Sequence, residues 1–216
     1  MTAAEPAPEE FGAGYWEQRY RHHHGTSRPH APSPQLVAEV AALEPGTALD
    51  AGCGEGADAR WLAARGWRVT AVDVAATALH RAQQHALASD DPAAAERIDW
   101  QQADLLHWTP EHRFDLVTSQ YVHLPGPRET FFRRLAAAVA PGGTLLIVGH
   151  DPADRHTAAQ GPGADAYVTA EDIAAVLDPG TWDVLVAETR TRTVTGPDGS
   201  GAELCDAVLR ARRREG

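Results

Sequence analysis

This sequence has few cysteines, fewer basic than acidic residues, and no long apolar run. Its two cysteines, Cys53 and Cys205, stand far apart without the spacing of a metal site, so we expect reduced thiols in a cytosolic protein. Lys and Arg number 19 against 30 Asp and Glu, a formal net charge of −11. Such a surface repels a phosphate backbone, so nucleic acid is not an expected partner. With no apolar run that would span a bilayer and no apolar signal core, we expect no membrane contact and a cytoplasmic location.

The length and composition favour a single globular domain. The chain has 216 residues, of which 43% are hydrophobic and 23% charged, and this is enough to bury a core without disulfides or metals. Residues 1–13 include an Ala-, Pro- and Glu-rich stretch and are predicted to be a disordered tail. We expect residues 14–216 to form one domain, with residues 14–45 as a lid segment, and the protein to be a monomer or homodimer.

Helices and strands are predicted to alternate along most of the chain. Predicted helices span 14–20, 34–43, 57–65, 77–88 and 128–139, and predicted strands span 47–50, 68–73, 98–102, 114–119, 144–149, 182–192 and 204–212. This alternation implies parallel strands with right-handed crossovers, and therefore an α/β fold. The last two strands are joined by turn residues over 196–201, so they are expected to form an antiparallel hairpin.

A glycine-rich loop follows the first predicted strand and opens a helix. It spans residues 50–56 with the sequence DAGCGEG, and its glycines permit a tight turn and a close approach of the backbone to a ligand. Asp73 ends the next strand, where a carboxylate can bind both hydroxyls of a ribose. Because ligands of open α/β sheets bind at this carboxyl edge, the pattern predicts a nucleoside site.

Two ligands fit a glycine loop followed by a ribose acid: a nicotinamide dinucleotide and S-adenosylmethionine. A dinucleotide loop holds a pyrophosphate on the N–H groups of a helix, and the carboxylates of Asp50 and Glu55 would repel it. S-adenosylmethionine has no phosphate and carries an ammonium and a sulfonium, which nearby acids favour. An NAD-dependent oxidoreductase stays the alternative, because Gly52, Gly54 and Ala57 also fit the looser dinucleotide pattern.

The order of motifs from about residue 15 to the C-terminus resembles the class I S-adenosylmethionine-dependent methyltransferases. LDAGCGEG at 49–56 is similar to the first motif of that family, and the acid at 73 to its ribose-binding acid. QADL at 102–105 resembles the segment whose Asp meets the adenine amino group, FDLV at 114–117 the fourth strand, and PGGTL at 141–145 the turn into the fifth. The resemblance implies a Rossmann-like methyltransferase fold, a three-layer α/β/α sandwich with a mostly parallel seven-stranded sheet and an antiparallel C-terminal strand.

The resemblance also implies the reaction. S-adenosyl-L-methionine would be the methyl donor, S-adenosyl-L-homocysteine the product, and a small molecule the methyl acceptor. YWEQRY at 15–20 and ARWLAARG at 59–66 look like the small-molecule branch of the tellurite-resistance and thiopurine type, which suggests a small, soft or heteroatom acceptor. A protein that binds the donor without catalysing transfer is a further alternative.

The candidate site residues lie in the lid, in the glycine loop and after the strands. The candidate donor-binding residues are Tyr15, Trp16, Tyr20, Asp50, Gly52, Cys53, Gly54, Asp73, Val74, Ala103, Asp104, Leu105 and Ser119. His123 is the candidate catalytic residue, as a base or an acceptor-positioning group, although packing is the commoner role for such a histidine. His150 and Asp151 are expected to face the same crevice, and Trp108 to pack near the adenine.

Two features have a plainer explanation than a catalytic or metal site. The consecutive histidines 22–24, with His30 nearby, suggest a metal site, but the side chains of adjacent residues point in different directions. An exposed mobile loop is therefore favoured, and no metal is predicted. Cys53 is interpreted as a small packing residue and not as a nucleophile.

Overall fold

A seven-stranded β-sheet organises the part of the chain that the structure describes, a computed structural model covering residues 9–22, 30–154, 167–195 and 201–215. The strands are β1 (Thr47–Ala51), β2 (Arg68–Asp73), β3 (Ile98–Gln102), β4 (Phe114–Gln120), β5 (Val139–His150), β6 (Trp182–Thr195) and β7 (Gly201–Arg213). Their order across the sheet is β3-β2-β1-β4-β5-β7-β6. The pairs from β3 to β5 are parallel, and β7 is antiparallel to both of its neighbours. The predicted mostly parallel sheet with an antiparallel C-terminal strand is confirmed.

Helices cover both faces of this sheet. Within the described residues they are α1 (Ala13–His22), α2 (Pro34–Val40), α3 (Ala57–Ala64), α4 (Ala76–Leu87), α5 (Pro92–Ala95), α6 (Arg128–Ala137) and α7 (Ala170–Ala174). Side chains alternate along each strand, so Leu49 of β1 packs in the cluster that contains α6 and α7, while Ala48 packs in the cluster that contains α2, α3 and α5. The two buried clusters and the sheet between them form the expected three layers.

The crossover from α3 to β2 shows how local sequence sets these layers. Gly66 has a φ of +94° and ends the helix. Its N–H donates to the carbonyl of Ala63 at 3.0 Å, and the N–H of Trp67 donates to the carbonyl of Leu62 at 3.2 Å, which is the Schellman pattern of a helix end. Leu62 and Trp67 are both buried, so the turn directs the chain back into the core at the start of β2.

The largest difference from the predicted elements is in β5. The strand begins at Val139, not at residue 144, because Val139 pairs with Phe114 before the register between β4 and β5 shifts. The Pro-Gly-Gly segment therefore lies inside an irregular strand and does not separate it from α6. The structure also contains two short helices that the pattern did not predict, α5 and α7. Each is capped by a side chain, that of Asp91 and that of Thr169 respectively.

Two terminal and loop predictions fall partly outside the described residues. The predicted tail lies outside them over residues 1–8, while residues 9–12 form a turn before α1 and the side chain of Phe11 is buried. The turn residues 196–200 of the β6–β7 hairpin also lie outside the description. Within the described ranges, no helix is both long and apolar enough to cross a membrane.

Candidate active site

The glycine loop uses its own N–H groups to hold its shape. The N–H groups of Gly52 and Cys53 both donate to the carbonyl of Val72, at 2.8 and 3.0 Å. The N–H of Gly54 donates to the Asp73 carboxylate at 2.9 Å, and that of Gly56 to the carbonyl of Cys53 at 2.9 Å. The loop is thus bound to the end of β2, and these four donors are already satisfied within the protein.

Asp73 connects the glycine loop to α4. Its second oxygen accepts the N–H of Ala75 at 2.9 Å, immediately before the helix begins. Burial raises the pKa of this carboxyl, while the N–H groups of Ala75 and Gly54 oppose the rise. Asp73 and the neighbouring Val74 both line an open cavity at the carboxyl edge of the sheet, where the sequence predicts the ribose.

The cavity is lined by residues from the ends of four strands, β1 to β4, and from α1. It has a volume of about 250 Å³. It is lined by Trp16, Tyr20, Gly52, Asp73, Val74, Ala103, Leu105, Gln120, Tyr121, Val122, His123 and Leu124. Eight of these were predicted from the sequence, and the other four lie at the end of β4 or just after it: Gln120, Tyr121, Val122 and Leu124. Their position after a strand end is the signal that sequence reasoning used only for His123.

Asp50 lies beneath the glycine loop and does not line the cavity. It is 2% exposed, it accepts the backbone N–H of Ala59 in α3, and burial together with Asp58 and Asp73 raises its pKa well above the ordinary range. One of its oxygens is buried without a partner. Burial also raises the pKa of Asp58 to about 6, and its carboxylate accepts the N–H of Ser33 at 2.7 Å. Ser33, the residue before α2, makes this contact through its backbone, and its side chain does not cap the helix.

Cys53 is a packing residue in the structure. It is 9% exposed, and burial raises the pKa of its thiol well above the ordinary value. A buried thiol that stays protonated is a poor nucleophile, which agrees with the interpretation from sequence.

Helix α1 covers one side of the cavity. The indole N–H of Trp16 donates to the carbonyl of His123 at 3.2 Å, and the hydroxyl of Tyr20 lies over Gly54. Burial raises the pKa of Tyr20, with a contribution from Asp73. Tyr15 does not line the cavity; its ring meets the rings of Trp16 and Phe11 edge-on, at 5.2 and 5.5 Å. The aromatic residues of α1 thus act together, with Tyr15 supporting the two that face the cavity.

Glu17 joins α1 to the start of α4. Its carboxylate accepts both the hydroxyl of Thr77, at 2.6 Å, and the N–H of the same residue, at 3.1 Å. The hydrogen bonds lower the pKa of Glu17. Since α4 has no side-chain cap of its own, Glu17 supplies one from α1, and sequence reasoning did not identify this contact.

His123 lies between α1 and the end of β5. Its ring stacks on Trp16 with centroids 6.3 Å apart and on His150 with centroids 5.7 Å apart. Burial, followed by the positive charges of His150, Arg19 and Arg128, lowers its pKa to about 4. His123 is therefore neutral at physiological pH. The pKa of His150 is lowered too, chiefly by burial.

Other predicted residues lie beside the cavity and not in its wall. Asp104 is exposed, accepts the N–H of Leu106 at 2.9 Å and pairs with His107 at 2.8 Å. Ser119 is buried and donates to the carbonyl of Ala51 at 3.0 Å, which joins β4 to β1.

Two further residues were expected near the ligand and are placed elsewhere. Trp108 donates its indole N–H to Gln101 at 3.1 Å and is absent from the cavity wall. Asp151 is buried and accepts the hydroxyl of Thr189 in β6 at 2.8 Å, so it supports the sheet and does not face the crevice.

The histidine run 22–24 lies mostly outside the described residues. His22 is described; it is exposed at the end of α1, and its Nδ1 lies 2.8 Å from the carbonyl of Gln18. Within the described parts of the chain, no group of three or more His, Cys, Asp or Glu residues is arranged to hold a metal ion.

The chemistry of the loop distinguishes the two candidate ligands. A pyrophosphate needs free N–H groups at the start of the helix, but the loop N–H groups of Gly52, Cys53, Gly54 and Gly56 donate within the protein. A buried acid at the end of β2, aromatic side chains above it and a small-residue loop fit a phosphate-free adenosine ligand. The residues present therefore fit S-adenosylmethionine and do not fit a dinucleotide.

Known proteins with similar sequences are methyltransferases. Residues 48–143 match the family model described as a methyltransferase domain. The chain is 34% identical over 147 residues to the trans-aconitate 2-methyltransferase of Paracidovorax citrulli (strain AAC00-1), a match that covers 62% of this chain and 53% of that protein. The chain spans about half the length of the curated relatives it matches.

Solved structures extend the likeness over nearly the whole chain. A structure reported for the conversion of a disulfide bond into a thioacetal group during echinomycin biosynthesis has a TM-score of 0.69 and 26% identity, and the match covers 94% of this chain and 93% of that one. The N-methyltransferase NodS from Bradyrhizobium japonicum WM9, in complex with S-adenosyl-L-homocysteine, has a TM-score of 0.65 and 20% identity, over 92% and 98% of the two chains. The matched methyltransferase-domain model, the motif order and the strand order together support a class I S-adenosylmethionine-dependent methyltransferase.

Proposed function

We propose that this protein transfers a methyl group from S-adenosylmethionine to a small-molecule acceptor. The observation that carries the proposal is the cavity at the carboxyl edge of the sheet, where Asp73 stands beside a glycine loop whose N–H groups are already used. The proposal includes a cytoplasmic enzyme that works as a monomer or homodimer, with residues 14–216 as one domain and residues 14–45 as its lid.

Different residues of the cavity bind different parts of the donor. Asp73 binds the ribose hydroxyls, and the adenine lies along Ala103, Asp104 and Leu105 at the end of β3. The methionine part follows the glycine loop toward β4. Trp16 and Tyr20 cover the donor from the lid, while residues outside the cavity wall keep this arrangement in shape: Tyr15, Asp50, Cys53 and Ser119.

The protein's task is orientation more than activation. When bound, S-adenosylmethionine supplies a methyl group on a sulfonium, which leaves without help from an acid. Holding the two reactants in line and excluding water contributes on the order of 7–11 kcal/mol in favourable systems. His123 lies at the junction of lid, cavity and β5, so we assign it to positioning the acceptor.

The relatives support a small acceptor without agreeing on its chemistry. By name, one of them methylates trans-aconitate and another is an N-methyltransferase. These activities belong to those proteins. The class of acceptor for this chain must therefore be inferred from its own residues.

Calorimetry and a transfer assay test the proposal together. We expect S-adenosylhomocysteine to bind with a one-to-one stoichiometry and NADH not to bind. We also expect label from the donor's methyl group to appear in a small-molecule product. Binding of NADH in place of S-adenosylhomocysteine would reverse the assignment. Donor binding with no transfer to thiols, amines, phenols or carboxylates would instead identify a non-catalytic binding module.

A further inference from the structure

The surroundings of His123 are positively charged in a protein that is otherwise acidic. The guanidinium of Arg19 lies 6.0 Å from the ring centroid of Trp16, which itself stacks on His123. Arg128, at the start of α6, lines the same narrow cavity as His123. Both arginines are exposed, while the chain as a whole carries a formal charge of −11. The charge at this mouth is thus the opposite of the charge on the protein.

Among the described residues, the permanently charged groups that act on His123 are Arg19 and Arg128, since burial lowers the pKa of His150 and disfavours its cationic form. The nearby acids have partners of their own: Asp73, which lines the larger cavity with His123, accepts the N–H groups of Gly54 and Ala75. Asp154 and Asp206 are completely buried and act on His150. The positive charge of Arg128 also acts on Asp172 in α7, but the carboxylate of Asp172 accepts the N–H of Thr169. The mouth of the cavity at His123 is therefore a place where a negative charge is stabilised.

This environment suits an acceptor that is already an anion. An amine, alcohol or phenol must lose a proton during methylation, and a buried histidine among cations is poorly placed to take one. A carboxylate has no proton to lose at neutral pH. Its charge is offset by the guanidinium of Arg128 before transfer, and guanidinium hydrogen bonds to carboxylates are among the stronger ones in proteins.

We propose that the acceptor is a small carboxylic acid, bound as its carboxylate near Arg128 and His123, and that the product is its methyl ester. This inference rests on the proposed function. In the transfer, a carboxylate oxygen forms a bond to the methyl carbon while the bond between that carbon and sulfur breaks, and its electron pair goes to the sulfur. The negative acceptor and the positive sulfonium become two groups without those charges. No proton moves, so no base is required.

The lability of the product to alkali tests the class of acceptor directly. The full chain is incubated with donor tritiated in its methyl group and with trans-aconitate, succinate or phenylacetate, and in parallel with the corresponding amides and with a bacterial small-molecule extract. Methyl esters release volatile labelled methanol at high pH, whereas methylated amines, thioethers and phenol ethers do not. We expect alkali-labile label from the carboxylates or the extract and none from the amides.

Each other result has a definite meaning. A labelled product that resists alkali would overturn the carboxylate inference and leave the proposed function standing. If no labelled product formed from any of these acceptors or from the extract, both the carboxylate inference and the proposed methyl transfer would be contradicted, and S-adenosylhomocysteine binding would then support the binding module.

Arginine variants test where the carboxylate is held. We expect Arg128→Gln to raise the KM for the carboxylate about 10- to 100-fold, with little change in affinity for S-adenosylhomocysteine, and Arg128→Lys to restore part of the loss. Arg133→Gln is the matched control, because Arg133 lies on the same helix and pairs with Glu129 on the surface. An equal rise in KM for Arg133→Gln, or no rise for Arg128→Gln, would overturn the assignment of Arg128.

Discussion

Val122 packs its side chain directly against the Cα of Gly52, so a Cβ added at position 52 would overlap the valine methyl groups. Gly52 also has a φ of +80°, which side chains rarely adopt. We expect Gly52→Ala to lower the affinity for S-adenosylhomocysteine at least about tenfold and the free energy of unfolding by about 1–3 kcal/mol. Calorimetry and urea unfolding measure the two effects.

Gly126 offers a matched control for this substitution. Its φ is +90°, but nothing lies within 4 Å of a Cβ built on it. Gly126→Ala therefore introduces backbone strain without the overlap and should leave donor affinity near that of the wild type. The double variant Gly52→Ala with Val122→Ala should recover part of the lost stability. Similar donor affinities for the two single variants would show that the contact with Val122 does not shape the donor site.

Asp73 is expected to be the most sensitive acid of the site. Its two oxygens accept the N–H groups of Gly54 and Ala75, and an amide at this position cannot accept both. We expect Asp73→Asn to weaken binding of S-adenosylhomocysteine about 10- to 100-fold by calorimetry. Asp99→Asn is the control, since Asp99 is exposed on the neighbouring strand β3. Unchanged affinity in the Asp73 variant would mean that the ribose lies elsewhere.

The framework of the fold is predictable from short-range patterns. The bounds of β2 and β3 are those predicted, because apolar and β-branched residues are followed at once by residues that end the strand. The helix end at Gly66 is predictable for the same local reason. The extension of β5 back to Val139 is not, because it depends on pairing with Phe114, which is 25 positions away in the chain.

The sequence predicts which strand ends form the site, but it does not predict the directions in which their side chains point. Asp50 and Asp73 both end strands, yet the carboxylate of Asp50 accepts the N–H of Ala59 and turns under the loop, while Asp73 reaches the cavity. Tyr121, with a φ of +53°, turns the chain after β4 and brings the following residues to the cavity. A positive φ at tyrosine has no sequence signal, because it is imposed by the tertiary contacts around it.

His123 should make stability depend on pH. Its pKa of about 4 in the folded protein is below its ordinary value of 6.5, so the unfolded chain binds the proton more tightly. The stability linked to this group is complete above pH 6.5 and is lost as the pH falls toward 4. We expect the wild type to lose about 1–2 kcal/mol more than His123→Phe between pH 7.5 and pH 5 in urea unfolding.

The phenylalanine variant keeps an aromatic ring for the stack with Trp16 and His150, and the other titrating groups remain in both proteins. The difference between the two pH profiles therefore isolates His123. Parallel profiles would contradict the lowered pKa. Reduced turnover in the same variant, with unchanged donor affinity, would support the positioning role.

Arg192 is expected to contribute much more stability than an exposed arginine of the same hairpin. Its Nε donates to the completely buried Asp206 at 2.7 Å, and Gln35 of α2 donates to the same oxygen at 3.1 Å. Replacing Arg192 by Met leaves the buried carboxylate of Asp206 without this charged donor, which costs about 3–5 kcal/mol. Urea unfolding measures this loss.

The pair of Arg214 and Asp183 provides the comparison, since it has a similar length of 2.7 Å but both side chains are about half exposed. We expect Arg214→Met to cost far less than Arg192→Met, because water screens the pair and solvates the acid that remains. The double variant Arg192→Met with Asp206→Asn should be more stable than Arg192→Met alone, because the uncompensated charge is gone. Equal losses for the two single arginine variants would show that burial of Asp206 does not determine the strength of its ion pair.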